Sequence, residues 1–101
     1  EPSMIAWRIL QQTATAFLTI SDQEALYAMA AMAHDHSPDP VIEGGESGAA
    51  SLGGLLAALK DPEIRQSLHL NKDSVALVIN TEGATDPELY AQLLAQAKAL
   101  P

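Results

Sequence analysis

From residue 4 to about residue 19 the apolar positions Met4, Trp7, Leu10, Ala14, Phe17 and Leu18 recur at steps of three and four. That spacing lines one face of an amphipathic helix, and Ser3 stands where an N-cap belongs. Ser21-Asp22-Gln23-Glu24 has the form of a capping box. In it the Ser21 hydroxyl accepts from the Glu24 amide while the Glu24 carboxylate reaches back. A second helix is therefore predicted from residue 22 to about 33, with Leu26, Met29, Ala30 and Ala33 inward. So short a link between the helices predicts a tight corner. The polar stretch 34–40 carries Pro38 and Pro40 and ends the second helix.

Val41-Ile42 is a short apolar step, read as a brief strand, that runs into Glu43-Gly44-Gly45-Glu46-Ser47-Gly48. Residues 49–59 are rich in Ala and Leu and predict a buried helix, in which Gly53 and Gly54 mark a close approach to another backbone or a ligand. Asp61-Pro62 opens a short helical stretch to about residue 68, with proline in the first turn where its missing N–H costs nothing. Asn71-Lys72-Asp73-Ser74 is a turn. Val75-Ala76-Leu77-Val78-Ile79-Asn80 then gives an apolar run typical of a strand covered on both faces. Thr85-Asp86-Pro87-Glu88 reads as a second capping box, opening a terminal helix to about residue 99. Helix, helix, short strand, helix, strand, helix is an α/β order. A sheet of two strands does not stand alone, so the pattern implies a missing partner or missing chain.

Composition sharpens that implication. Hydrophobic residues make up 48% of the 101, but 18 of them are alanine and only 4% of the chain is aromatic. Alanine contributes little buried area, so a core built from this chain alone is thin. The opening Glu1-Pro2-Ser3-Met4 reads as the middle of a longer gene. Five Lys and Arg against 13 Asp and Glu leave a net charge of −8, too few cations to track a phosphate backbone. No apolar stretch reaches the ~20 residues of a membrane span. Without a basic-plus-apolar leader the expected compartment is the cytoplasm. The absence of cysteine removes disulfides, thiolate metal sites and cysteine nucleophiles.

Two segments are candidates for chemistry. Glu43-Gly44-Gly45-Glu46-Ser47-Gly48-Ala49 is a strand-to-helix junction, whose glycines allow a tight bend and whose new helix offers free N–H groups to an anion or a polar ring substituent. It reads equally as a glycine-rich turn capped by Ser47, and it lacks the Gly-Lys-Ser/Thr of a Walker loop. Asn80-Thr81-Glu82-Gly83-Ala84-Thr85-Asp86 follows the strong apolar run, at the strand end where open α/β sheets bind ligands. It too reads as a plain polar loop. His34-Asp35-His36 carries metal-capable side chains without a rigid holder or third ligand, and no metal is assigned. His69 reads as a surface turn residue.

These two segments, together with Ala6-Trp7-Arg8-Ile9-Leu10 after Glu1-Pro2, resemble the C-terminal part of the diaminopropionate ammonia-lyases. These enzymes are members of the tryptophan synthase β-like class, which depends on pyridoxal 5′-phosphate (PLP). Asn80-Thr81-Glu82-Gly83-Ala84-Thr85-Asp86-Pro87 is the most specific string. The resemblance implies that the chain is a single C-terminal fragment, residues 1–101, of a three-layer αβα open-sheet enzyme, helix-rich with about two strands. It implies PLP as cofactor, with Thr81 at the pyridine nitrogen. Glu46, Ser47 and Gly48 would line the ring edge, Gly48 being small so that the ring can approach. It also implies a small amino-acid substrate, the remainder of the enzyme chain as partner, and a homodimer, as is usual among relatives.

The implied reaction is α,β-elimination of 2,3-diaminopropionate to pyruvate and ammonia. The class needs a lysine in a buried pocket, where the depressed pKa lets it serve as cofactor anchor and base. Lys60, Lys72 and Lys98 occupy a helix end, a polar turn and a terminal helix, and none suits that role. The phosphate-binding glycine loop is not in this stretch either, so no catalytic residue is assigned and the fragment alone is expected to be inactive. Two other readings stay open. One is another PLP-dependent β-eliminating enzyme of the threonine or serine dehydratase kind; the other is a self-contained helical adaptor or ligand-binding module.

Overall fold

The structure is a computed structural model that describes residues 2–34 and 36–99. Among these residues five helices form: α1 (Met4–Thr13), α2 (Asp22–Ala33), α3 (Glu46–Lys60), α4 (Pro62–Ser67) and α5 (Pro87–Lys98). α2 is the hub, packing against α3 on one side and α5 on the other, while α4 folds back on α3. α1 packs against none of the other helices.

The caps read from the sequence largely hold. Ser3 Oγ accepts from the Ala6 amide at 3.2 Å. The Ser21 box is complete, with Glu24 N to Ser21 Oγ at 3.1 Å and Ser21 N to Glu24 Oε2 at 2.8 Å. Asp61 caps α4, accepting from the Glu63 and Ile64 amides. The second box is displaced by one residue. Asp86, not Thr85, is the N-cap of α5, accepting from the Leu89 amide at 3.1 Å.

The core is built from small residues. Among the described residues the buried apolar side chains are Met29 and five alanines, with Ala28, Met29 and Ala49 at the centre. Leu26, Met32, Leu52, Tyr90 and Leu93 pack around them. Short side chains let α2 and α3 approach closely. A Cβ on Gly53 would stand 3.0 Å from Ile20 Cδ1 and 3.3 Å from the Glu24 carbonyl oxygen. Gly53 therefore marks the close approach expected of it, whereas Gly54 has nothing within 4 Å.

Two expectations are corrected. α1 ends at Thr13 rather than near residue 19; Ala14 turns extended, and the Thr13 hydroxyl donates to the Ile9 carbonyl at 2.8 Å. With no residue of α1 buried, no packing prolongs it through Thr13, Thr15 and Thr19, whose branched side chains disfavour helix. Phe17 instead returns to Trp7, with ring centroids 6.2 Å apart.

The α/β sheet with about two strands is not seen, since no strand forms among the described residues. At the first position, the Ile42 amide donates to the Met32 carbonyl at 2.9 Å, satisfying one of the orphan acceptors at the end of α2 rather than a ladder. At the second, residues 75–79 have no neighbouring strand to pair with. Val75 is 98% exposed, Leu77 89% and Ile79 65%. A strand needs a partner's N–H and C=O groups, and this stretch of sequence contains none placed to supply them.

Candidate functional site

The glycine-rich junction and the loop after the apolar run lie far apart in sequence, and the fold brings them together. The Gly45 amide donates to the Glu82 carbonyl at 2.9 Å. Asn80 Nδ2 donates to the Glu43 carbonyl at 3.1 Å, and Ser51 Oγ donates to the Ile79 carbonyl at 3.1 Å. Residues 79, 80 and 82 are thus each tied to the start of α3, with Thr81 between them. The Thr81 side chain is exposed, and its hydroxyl makes no hydrogen bond with another described residue.

A cavity of about 90 Å³ opens beside these links. Glu46 and Ser47 line it from α3, Glu82 and Thr85 from the loop, and Met29 and Tyr90 from α2 and α5. Thr85 Oγ1 lies 3.5 Å from Glu82 Oε1. Burial pushes the Tyr90 hydroxyl above its ordinary pKa of 10.0, and the nearby Glu43 carboxylate adds to the shift. Gly45, the N-cap of α3, offers no side-chain acceptor, so the helix start keeps its N–H groups for whatever enters from the loop side.

Each residue singled out in the sequence has a definite place. Glu46 and Ser47 reach the cavity, and Ser47 lies inside α3 rather than capping it. Thr81 adjoins the cavity without lining it. Gly48 is buried, and the space a side chain would need there is filled by Asn80 Oδ1 and the Glu82 carbonyl oxygen. Its small size is accordingly required by this chain's own packing. Asn80 and Glu82 belong to the candidate loop but carry no role of their own in the sequence, and Tyr90 is not distinguished there. The one signal was an amide side chain closing an otherwise apolar run.

The lysines are elsewhere. Lys60 ends α3, about 20 Å along the axis from its start at 1.5 Å per residue, and its Nζ sits 4.9 Å over the Tyr27 ring. Lys98 is at the end of α5 opposite to Asp86. Lys72 is exposed in the turn closed by Ser74 N to Asn71 O at 3.0 Å. His34 and His36 meet edge to face, 4.9 Å between ring centroids, and Asp35 lies outside the described residues. No cluster of three metal-capable side chains occurs among the described residues.

A glycine-rich helix start facing a polar loop can hold an anionic or polar ring-bearing ligand. Comparison with known proteins makes this particular. The chain is 40% identical over 101 residues to the diaminopropionate ammonia-lyase of Escherichia coli K12, a match that takes in 97% of this chain and 25% of that enzyme. The crystal structure of the E. coli enzyme in apo form superposes with a TM-score of 0.84 at 39% identity, over 96% of this chain and 28% of that one. The same enzyme in complex with an aminoacrylate-PLP azomethine reaction intermediate gives a TM-score of 0.83 at 39% identity, over 96% and 26%. No family model matches. The likeness to diaminopropionate ammonia-lyase read from the sequence motifs is shown over nearly the whole chain. The chain spans about a quarter of the length of that relative.

Proposed function

We propose that the chain is the C-terminal part of a PLP-dependent ammonia-lyase of the tryptophan synthase β-like class. Its reaction is the α,β-elimination of 2,3-diaminopropionate to pyruvate and ammonia. The observation that carries this reading is the tie between the α3 start and residues 79–82. It holds Thr81 beside a polar cavity with an unengaged hydroxyl, in a chain similar to an enzyme solved with a PLP adduct.

The residues present fit one edge of the cofactor. With the cofactor bound, Thr81 would offer a neutral hydroxyl to the pyridine nitrogen, and Glu46 and Ser47 would offer polar groups from the uncapped helix start. Gly48 contributes by letting Asn80 and Glu82 close on α3. No lysine of this chain stands near the cavity, so the covalent anchor and the phosphate loop belong to the remainder of the enzyme. PLP, when bound, supplies the electron sink that makes the substrate's α-proton removable. A hydroxyl rather than a carboxylate at the ring nitrogen leaves that nitrogen unprotonated, which moderates the sink and suits elimination over transamination. The helix start with Ser47 orients polar groups at the ring edge.

The same reading gives a small amino acid as substrate, the rest of the lyase as the surface over the exposed apolar residues, a homodimer as assembly and the cytoplasm as compartment. No helix of the described residues is long and apolar enough to cross a membrane.

Thr81→Val in the complete enzyme keeps the shape and removes the hydroxyl. Leaving a buried ring nitrogen unpaired costs about 1–3 kcal/mol. At ~1.4 kcal/mol per factor of ten, PLP retention by dialysis and pyruvate formation should each fall about ten- to hundredfold. Unchanged retention and turnover would overturn the assignment.

A further inference from the structure

The amide of Asn80 is seated between two glycines. Its Oδ1 occupies the place where a Cβ of Gly48 would stand, and it would lie 2.9 Å from a Cβ on Gly44. From that seat Nδ2 donates to the Glu43 carbonyl at 3.1 Å, across 37 positions of sequence. One side chain thus plugs into the glycine-rich junction just before α3 and hydrogen-bonds to its first residue. Any side chain at Gly48 would evict it. The links on either side, Ser51 Oγ to Ile79 O and Gly45 N to Glu82 O, fasten the neighbouring backbone, and Asn80 adds a side-chain tie directly before residue 81.

We propose that Asn80 is a positioning residue that fixes Thr81 relative to the α3 N-terminus, with Gly44 and Gly48 as its seat. This deepens the reading of Thr81 as the partner of the PLP ring and rests on it. The Asn80 amide is taken up by the Glu43 carbonyl and the two glycines. It acts because the residue that bears the functional hydroxyl follows it directly, and a hydroxyl misplaced by an ångström loses the linear geometry a hydrogen bond needs.

The test uses the complete PLP-loaded enzyme. Asn80→Asp keeps the shape but sets a carboxylate oxygen against the Glu43 carbonyl. Asn80→Ser, too short to span to it, removes the bond without adding charge and so guards against a variant that misfolds. Each is made in the parent and in Thr81→Val, and three quantities are read: PLP retention by dialysis, the absorbance of bound PLP, and the thermal midpoint of the PLP-free protein.

Losing one net hydrogen bond should weaken retention by about three- to tenfold in the parent and shift the absorbance of bound PLP. In Thr81→Val the same changes should cost less than about twofold, because the hydroxyl being positioned is gone; contacts that act through one another are non-additive. If the Asn80 effect is as large in Thr81→Val as in the parent, or if both Asn80 variants retain PLP like the parent, the positioning role is overturned while the Thr81 reading stands. If Thr81→Val alone leaves retention unchanged, the Thr81 reading falls, and this proposal with it.

Discussion

The α2–α3–α5 unit and the segments that flank it use opposite kinds of apolar residue. Inside the unit the buried positions are alanines around Met29, with Gly53 set against the backbone of α2. On the flanks, α1 exposes Ile5 and Ile9, the following segment exposes Phe17, and the run 75–79 exposes Val75 and Leu77. The large side chains are therefore mostly outside and the small ones inside. Small residues allow helices to approach until backbones touch, which buries little area per residue but fixes geometry tightly. Large β-branched and aromatic side chains gain free energy only when a surface covers them. The inner unit packs helix on helix, and the flanks leave their large apolar side chains uncovered.

Met29 offers the strongest way to break this contrast. It is the largest fully buried side chain, and Met29→Ala should cost about 2–5 kcal/mol in denaturant unfolding, because the alanines around it cannot close the cavity. Ile5→Ala, on exposed α1, should stay within about 0.5 kcal/mol in the same chain. Equal costs at the two positions would erase the distinction.

Leu77 sharpens it. In the 101-residue chain alone, Leu77→Ser should change stability by no more than about 0.5 kcal/mol, since the side chain is 89% exposed. In the complete enzyme the same change should cost about 2–3 kcal/mol if the run lies in a covered sheet. A negligible effect in both would show that nothing covers the run.

A modest gain is expected at the end of α4. His69 has φ 56°, the left-handed region, with its amide donating to Gln66 O at 3.0 Å and Leu70 N to Arg65 O at 2.9 Å. That is the hydrogen-bond pattern of a helix end that glycine favours. His69→Gly should stabilise the chain by about 0.5–1 kcal/mol, read as a raised thermal midpoint.

Local chemistry decided what could be read from the sequence alone. Ser3, the Ser21–Glu24 box and Asp61-Pro62 mark helix starts because a cap satisfies its own helix's amides within a few residues and needs no distant partner. The two segments that form the candidate site were legible for the same reason: glycines before a helix start, and a polar string closing an apolar run. Tertiary structure alone decided the rest. Residues 75–79 show the composition of a covered strand, yet a strand exists only where another supplies its hydrogen bonds, and none lies among the described residues. α1 stops at Thr13 because no other helix packs on it to carry it further. Gly48 could be read as room for a ligand, but it is where Asn80 seats, a fact set by residues far along the chain. Caps and turns are settled among near neighbours, whereas pairing, helix length and the use of an empty space depend on what the fold brings alongside.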